Sequence, residues 1–356
     1  TTQGVYSTKF KWLSFRTAYC FVNICCYLIG FLFWIMKFVK DGVVLLNAAP
    51  MMFYAMACSN AVIFVNIARH WRNILKEWIY VEKAFGGYRK INSKKRFIRI
   101  FSIYSAMTSV EHLLYILNGI YVAKYCMNPE KDPGEKFFVL LFPNVYTFIR
   151  YSIWSGIVVK IVNLTATFVW LFSNVILILI SVELTSKFDQ IVDKIKFSKI
   201  ADVMFWRAIR EDYQKVCKLC LVVEEHISPL ILISYMHDIF FLCMQLYNSL
   251  RERTEVIETV YFFYSFWFIV MRLLSLTLYG AHLNEASRKP IVLLHAVPTE
   301  EYNIEISRMM EQIYSHPIGY TGCRLFLVTR NLLLKIAGTI VTFELMIFQF
   351  APRTKD

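Results

Sequence analysis

Leu332-Leu333-Leu334-Lys335-Ile336-Ala337-Gly338-Thr339-Ile340-Val341-Thr342-Phe343-Glu344-Leu345-Met346-Ile347-Phe348-Gln349-Phe350 decides the fold class of this chain. At about 1.5 Å per helical residue the run is long enough to cross roughly 30 Å of hydrocarbon. Near its far end stands the uncharged Gln349, and a carboxamide in lipid costs free energy unless it meets water or a partner. Working back from this run, six further apolar stretches reach spanning length, giving seven at roughly 17–36, 43–67, 100–122, 151–182, 227–250, 259–281 and 332–350. The 356 residues are 57% hydrophobic and 18% charged, with mean hydropathy +0.46, whereas a soluble domain is about half apolar and a quarter charged. Strand-length segments alternating apolar and polar residues are not found, which argues against a β-barrel. The expected fold is an all-α membrane protein with seven transmembrane helices.

The net charge of +13 reads as a topology signal. If the N-terminus, 69–99, 187–218 and 288–335 share one side, that side holds 27 of the 39 Lys and Arg residues. The other side holds 10, and Lys160 and Arg272 fall inside spans. The positive-inside rule then predicts a cytoplasmic N-terminus, and seven spans an external C-terminus. A nucleic-acid surface would need a soluble basic face and aromatic platforms. No cleavable signal sequence is visible behind Thr1, and a short native segment is expected to precede it. The nine cysteines show neither a disulfide framework nor zinc spacing, and Cys217-Lys218-Leu219-Cys220 reads as two ordinary thiols on a helix. Asn163-Leu164-Thr165 matches a glycosylation sequon but falls inside a span. No cofactor or metal is expected.

The linkers on the basic side look helical. Trp71, Leu75, Trp78 and Ile79 recur at helical spacing among charged residues, so 68–81 continues the second span as an amphipathic helix. Phe205 to Glu225 feeds the fifth span in the same way, with Pro229 expected to kink its entry. Glu300 to Ile313 is another amphipathic helix, followed by the breaker cluster His316-Pro317-Ile318-Gly319. The longest outer loop, Cys126 to Tyr146, carries turn signals at Asn128-Pro129 and Asp132-Pro133-Gly134. The expected organisation is a six-span bundle with cytoplasmic anchor helices over 1–331 and a seventh helix over 332–351.

Several ordered motifs carry a resemblance. Thr342-Phe343, five residues and Gln349-Phe350 resemble the C-terminal signature of the insect gustatory receptors, with Phe343 where that family usually has Tyr. Arg69-His70-Trp71-Arg72 with Trp78 and Val81-Glu82 is similar to the sugar-receptor branch. So are Trp206-Arg207-Ala208-Ile209-Arg210-Glu211-Asp212-Tyr213, Leu246-Tyr247-Asn248-Ser249-Leu250, and Arg288-Lys289-Pro290 through Val297-Pro298. The resemblance implies a homotetrameric, non-selective cation channel gated by sugars in the plasma membrane of chemosensory neurons, alone or with related subunits. The permeants would be monovalent and divalent cations, the last helix would line the pore, and each subunit would hold a pocket for a mono- or disaccharide.

Two constellations suit that implied mechanism. On the last helix Gly338, Thr342, Leu345 and Gln349 share one stripe. Under the resemblance Leu345 forms a constriction and Gln349 a polar gate; the alternative is packing between helices. Phe343 and Glu344 point away from the stripe, and Glu344 needs a partner in the membrane. The second constellation is the set of ionisable and aromatic residues in spans 3 to 6. Glu111, His112, Tyr115 and Asn118 lie on the third span, and Ser234, His237, Asp238, Phe241 and Gln245 on the fifth. Tyr151 and Trp154 lie on the fourth, and Tyr264, Trp267 and Arg272 on the sixth. Carboxylates and amides bond sugar hydroxyls, and aromatic rings cover C–H faces. Adjacent residues point about 100° apart, so at most one of Glu111 and His112 is expected to be central. The alternatives are internal ion pairing, for example Arg272 with a carboxylate, and an aromatic belt.

A seven-helix G-protein-coupled receptor, or another membrane signalling receptor, is the competing class. The charge asymmetry argues against it, as does the lack of Asp/Glu-Arg-Tyr after span 3 and of Asn-Pro-x-x-Tyr in the last span. A transporter would show repeats or broken helices in matching halves. An enzyme is not expected, since no nucleophile–base pairing or metal-ligand spacing stands out.

Overall fold

The computed structural model describes residues 10–42, 48–88, 93–125, 132–198, 202–249, 253 and 255–350. Among these the regular structure is helical, with one isolated bridge between Thr321 and Leu327. Helix α1 (Phe15–Asp41) starts where Ser14 accepts the Thr17 amide, and ends at Gly42, whose φ of 81° suits a residue without Cβ. Helices α2 (Ala48–Ala84) and α3 (Ser93–Tyr125) follow. Asp132 caps α4 (Pro133–Leu141), and α5 (Pro143–Tyr146) adds one more turn. A Ser152–Ser155 capping box opens α6 (Ile153–Phe197), which leads to α7 (Val203–Ser249) and α8 (Val256–Arg288). Then come α9 (Pro290–His295), α10 (Ile304–Ser315) and α11 (Arg330–Phe350).

Helices α6 and α7 have 45 and 47 residues, so each is roughly 70 Å long, about twice a hydrocarbon core. Each holds a membrane-length apolar segment and a second length beyond it. Among the described residues six helices, α1, α2, α3, α6, α7 and α8, are long and apolar enough to cross a membrane; α11, the seventh expected span, is not among them. The expected second span and its amphipathic continuation form one helix, α2, and so do the two parts of α7.

Beyond the membrane-length segments, α2, α6, α7 and α10 share one core built on Val81, Phe188, Ile209, Tyr213, Ile306 and Met309. Polar ties lock it. The Tyr88 hydroxyl donates to Asp212 at 2.7 Å, Lys187 pairs with Glu82, and Arg210 meets Glu305 at 2.6 Å. Cys217 and Cys220 are free and buried there. Helix α7 runs through Pro229 without ending, because both of its halves are packed into the same core. Helix α10 begins later than the sequence pattern suggests, since Asn303 accepts the Glu305 and Ile306 amides and sets the start. The expected turn at Asn128-Pro129, the start of the second span at 43–47, and Leu250 lie outside the described residues.

Candidate functional site

Polar residues at helical spacing converge from several spans on one cavity of about 380 Å³, near the α4–α5 end of the bundle. That volume lies within the roughly 300–1,000 Å³ of ligand pockets. Helix α3 contributes Glu111, His112 and Tyr115. Helix α6 contributes Asn163, Thr167 and Trp170, a stripe at i, i+4 and i+7. Phe241, Gln245 and Asn248 come from α7 at the same spacing, and Tyr261 and Ser265 from α8. Trp34 of α1 and Phe53 and Tyr54 of α2 close one side.

A hydrogen-bonded chain runs along one wall. The Gln245 amide donates to Ser265 Oγ at 3.1 Å, and that hydroxyl reaches Glu111 Oε1 at 3.5 Å. Four other polar atoms of lining residues are buried and have no hydrogen-bond partner among the described residues: His112 Nε2, Asn144 Oδ1, Asn163 Oδ1 and Trp170 Nε1. An unsatisfied buried polar group costs about 1–3 kcal/mol, so these atoms favour a ligand rich in hydroxyls.

Asn144 belongs to a lid. The Leu141–Asn144 corner between α4 and α5 lines the cavity. Two glycines seat the lid helix: a Cβ on Gly119 would stand 3.0 Å from Leu141, and one on Gly156 would stand 3.1 Å from Phe138.

Below the cavity lies a charged cluster sealed from it. Asp238 and Arg272 are 0% and 1% exposed and stand 3.5 Å apart. Asn174 donates to the same carboxylate at 2.9 Å. The Arg272 guanidinium lies 3.9 Å from the Trp170 ring centre and donates to the Trp170 carbonyl at 3.3 Å. The Trp170 ring is thus the floor between the cavity and the ion pair.

The expected site residues divide accordingly. Glu111, His112, Tyr115, Phe241 and Gln245 line the cavity together. Glu111 and His112 both line it. Asp238 does not line it; the carboxylate is one turn deeper than Phe241 and is engaged by Arg272. Trp154 and Trp267 are 78% and 60% exposed on the outer face. Tyr151 packs beside Phe138 at the lid, 5.8 Å between ring centres. The Tyr264 hydroxyl donates to the Met107 carbonyl of α3 at 2.9 Å, which ties two helices together. The signal missed in the sequence was the α6 stripe, polar positions three and four residues apart in an apolar span.

Helix α11 packs on α7 and α8 through Leu332, Ile336 and Ile340. Gly338, Thr342, Leu345 and Gln349 are exposed on a single copy of the chain. The Thr342 hydroxyl is satisfied by the Gly338 carbonyl at 2.9 Å. Phe343 shares an open groove with Gly338 and Thr342 rather than pointing away from them.

The comparisons with known proteins agree with this architecture. A family model described as "Trehalose receptor" matches residues 2–356. The chain is 29% identical to the Drosophila melanogaster protein named "Gustatory receptor for sugar taste 64f", over 96% of this chain and 74% of that one. It is 26% identical to "Gustatory receptor 5a for trehalose" of the same species, over 98% and 80%. The fold is similar to that of the insect olfactory receptor OR5 from Machilis hrabei, with a TM-score of 0.63 at 16% identity, covering 93% of this chain and 86% of that one.

Proposed function

Because the chain belongs to the trehalose receptor family, the sugar branch of the insect gustatory receptors, we propose that it is a sugar-gated cation channel. The observation that carries this reading is the cavity itself. Glu111, Gln245 and Ser265 form a hydrogen-bonding wall, Asn144 and His112 offer unpartnered atoms, and Trp170, Tyr115 and Phe53 supply ring faces. Neutral polyols need this combination of acceptors and flat apolar surfaces.

In this reading α11 is the seventh span, the N-terminus is cytoplasmic, and the cavity opens outward. The exposed stripe of Thr342, Leu345 and Gln349 lines a central pore, because one helix cannot enclose an ion path and a cyclic ring of copies can. Four identical subunits are the expected assembly. The cavity and the pore are linked physically, since α7 and α8 carry Gln245 and Ser265 and also pack on α11. A sugar that binds the open state more tightly shifts that equilibrium through those two helices.

Purified protein reconstituted in a planar bilayer tests the proposal. Sugar-evoked current that depends on Glu111 and Gln245 is expected. Sugar binding without current would remove the channel, and no response to any mono- or disaccharide would remove the sugar.

A further inference from the structure

The cavity does not end at Gln245. A smaller one, of about 230 Å³, opens beside it and is lined by Asn118, Arg253, Glu258 and Phe262. The two share Gln245, Asn248 and Tyr261 as a common wall. At 230 Å³ the smaller cavity falls below the usual range for a self-standing ligand pocket, so it reads as an extension of the first.

Its chemistry differs from that of a wet entrance funnel. Asn118 Oδ1 is buried and has no hydrogen-bond partner among the described residues, whereas an open funnel would keep that oxygen hydrated. The Arg253 guanidinium lies 3.6 Å from the Phe262 ring centre and donates to the Asn248 carbonyl, which orders the chamber wall. Arg253 and Glu258 bring opposite charges to one small space, which suits a neutral ligand over an ionic one. Amides, a carboxylate and a ring at the boundary repeat the composition of the first cavity on a smaller scale.

We infer that the smaller cavity is a subsite for the second ring of a neutral disaccharide whose first ring occupies the larger one. The inference rests on the sugar reading above and adds how the ligand is divided. Asn118 and Glu258 contact the second ring only, so they set discrimination between two-ring and one-ring sugars. Gln245, Asn248 and Tyr261 stand where the glycosidic linkage passes.

The test compares dose–responses of the full chain, reconstituted in a bilayer, to a panel of glucose disaccharides and to glucose itself. Asn118→Leu and Glu258→Gln should each raise the half-maximal concentration for the preferred disaccharide roughly tenfold, as loss of one buried hydrogen bond does. Their response to glucose should stay within about twofold of wild type by the same arithmetic. Gln245→Ala, on the common wall, should shift both sugars. A wild type silent to glucose also fits, provided the two outer variants still lose disaccharide sensitivity. Equal shifts for both sugars, or no shift in either variant, would overturn the subsite and leave a mere entrance. A wild type opened by glucose but by no disaccharide would overturn it while leaving the sugar reading intact; silence to every sugar would remove both. Glu258→Gln is isosteric, and thermal stability of the purified variants separates misfolding from altered recognition.

Discussion

Replacing Asp238 with Asn should destabilise the protein before it alters sugar recognition. The substitution keeps the shape and removes the charge, leaving Arg272 buried at 1% exposure without its carboxylate. Breaking a buried pair by deleting one partner typically costs about 3–5 kcal/mol, because the remaining charge is uncompensated. Arg272 retains the Trp170 ring and carbonyl, and an amide oxygen at 238 still accepts a hydrogen bond, so the lower end, about 3 kcal/mol, is expected. Near 25 °C that is roughly a hundredfold loss in the folded-to-unfolded ratio. The assay is the temperature at which detergent-solubilised receptor leaves its monodisperse peak. Asp238→Asn should lower it clearly. The double variant Asp238→Leu with Arg272→Met should recover much of the loss, because apolar residues of similar volume often replace a buried pair at little cost. An Asp238→Asn protein as heat-stable as wild type, with a right-shifted sugar dose–response, would refute the reasoning and return Asp238 to the ligand.

Glu111→Gln should right-shift the sugar response roughly tenfold or more, the usual loss for a hydrogen bond to a charged acceptor; an unchanged dose–response in surface-expressed protein would count against the cavity. Gln349→Ala should change basal current or ion selectivity while sugar binding to the purified protein is retained, and if neither current property moves the stripe is packing. At the α7–α10 contact, the Arg210 guanidinium, bonded at 2.6 Å and supported by Arg308, holds the Glu305 carboxyl below its ordinary value of 4.5. The contribution of that contact is therefore complete above about 4.5 and is lost as pH falls through the lower, folded value. Acid should loosen α10, seen as faster amide exchange over 304–315, and Glu305→Gln should abolish that pH dependence. An epitope placed after Asp356 should be reachable by antibody on intact cells, and labelling only after permeabilisation would reverse the proposed topology.

The cavity was legible only in part, for a geometrical reason. Glu111, Tyr115 and Gln245 could be read because polar residues in an apolar span are costly and must face something other than lipid, and Phe241 because it shares a helical face with Gln245. Trp154, Trp267 and Trp170 look alike in sequence. Two of them face outward and the third forms the cavity floor. Which way each ring points depends on how its helix is rotated in the bundle, and no local pattern records that angle. Asn163 and Thr167 went unread because the only motif containing Asn163 was a sequon that its position in a span made irrelevant.

What the sequence determined by itself is whatever its local periodicity encodes. That includes long helices of membrane length, their amphipathic continuation past the apolar segment in α2 and α7, and the polar stripe of α11. Each follows from the free energy of apolar surface and backbone hydrogen bonds along a single helix. Tertiary structure alone decided the pairings between distant residues. Asp238 meets Arg272 and Asn174, Glu111 meets Ser265, which accepts from Gln245, and the Leu141–Asn144 corner closes over helices from both halves of the chain. An unpaired charge inside the bundle is too expensive to leave alone, so the packing that brought Arg272 beside Asp238 withdrew that carboxylate from the cavity and left Glu111 facing it.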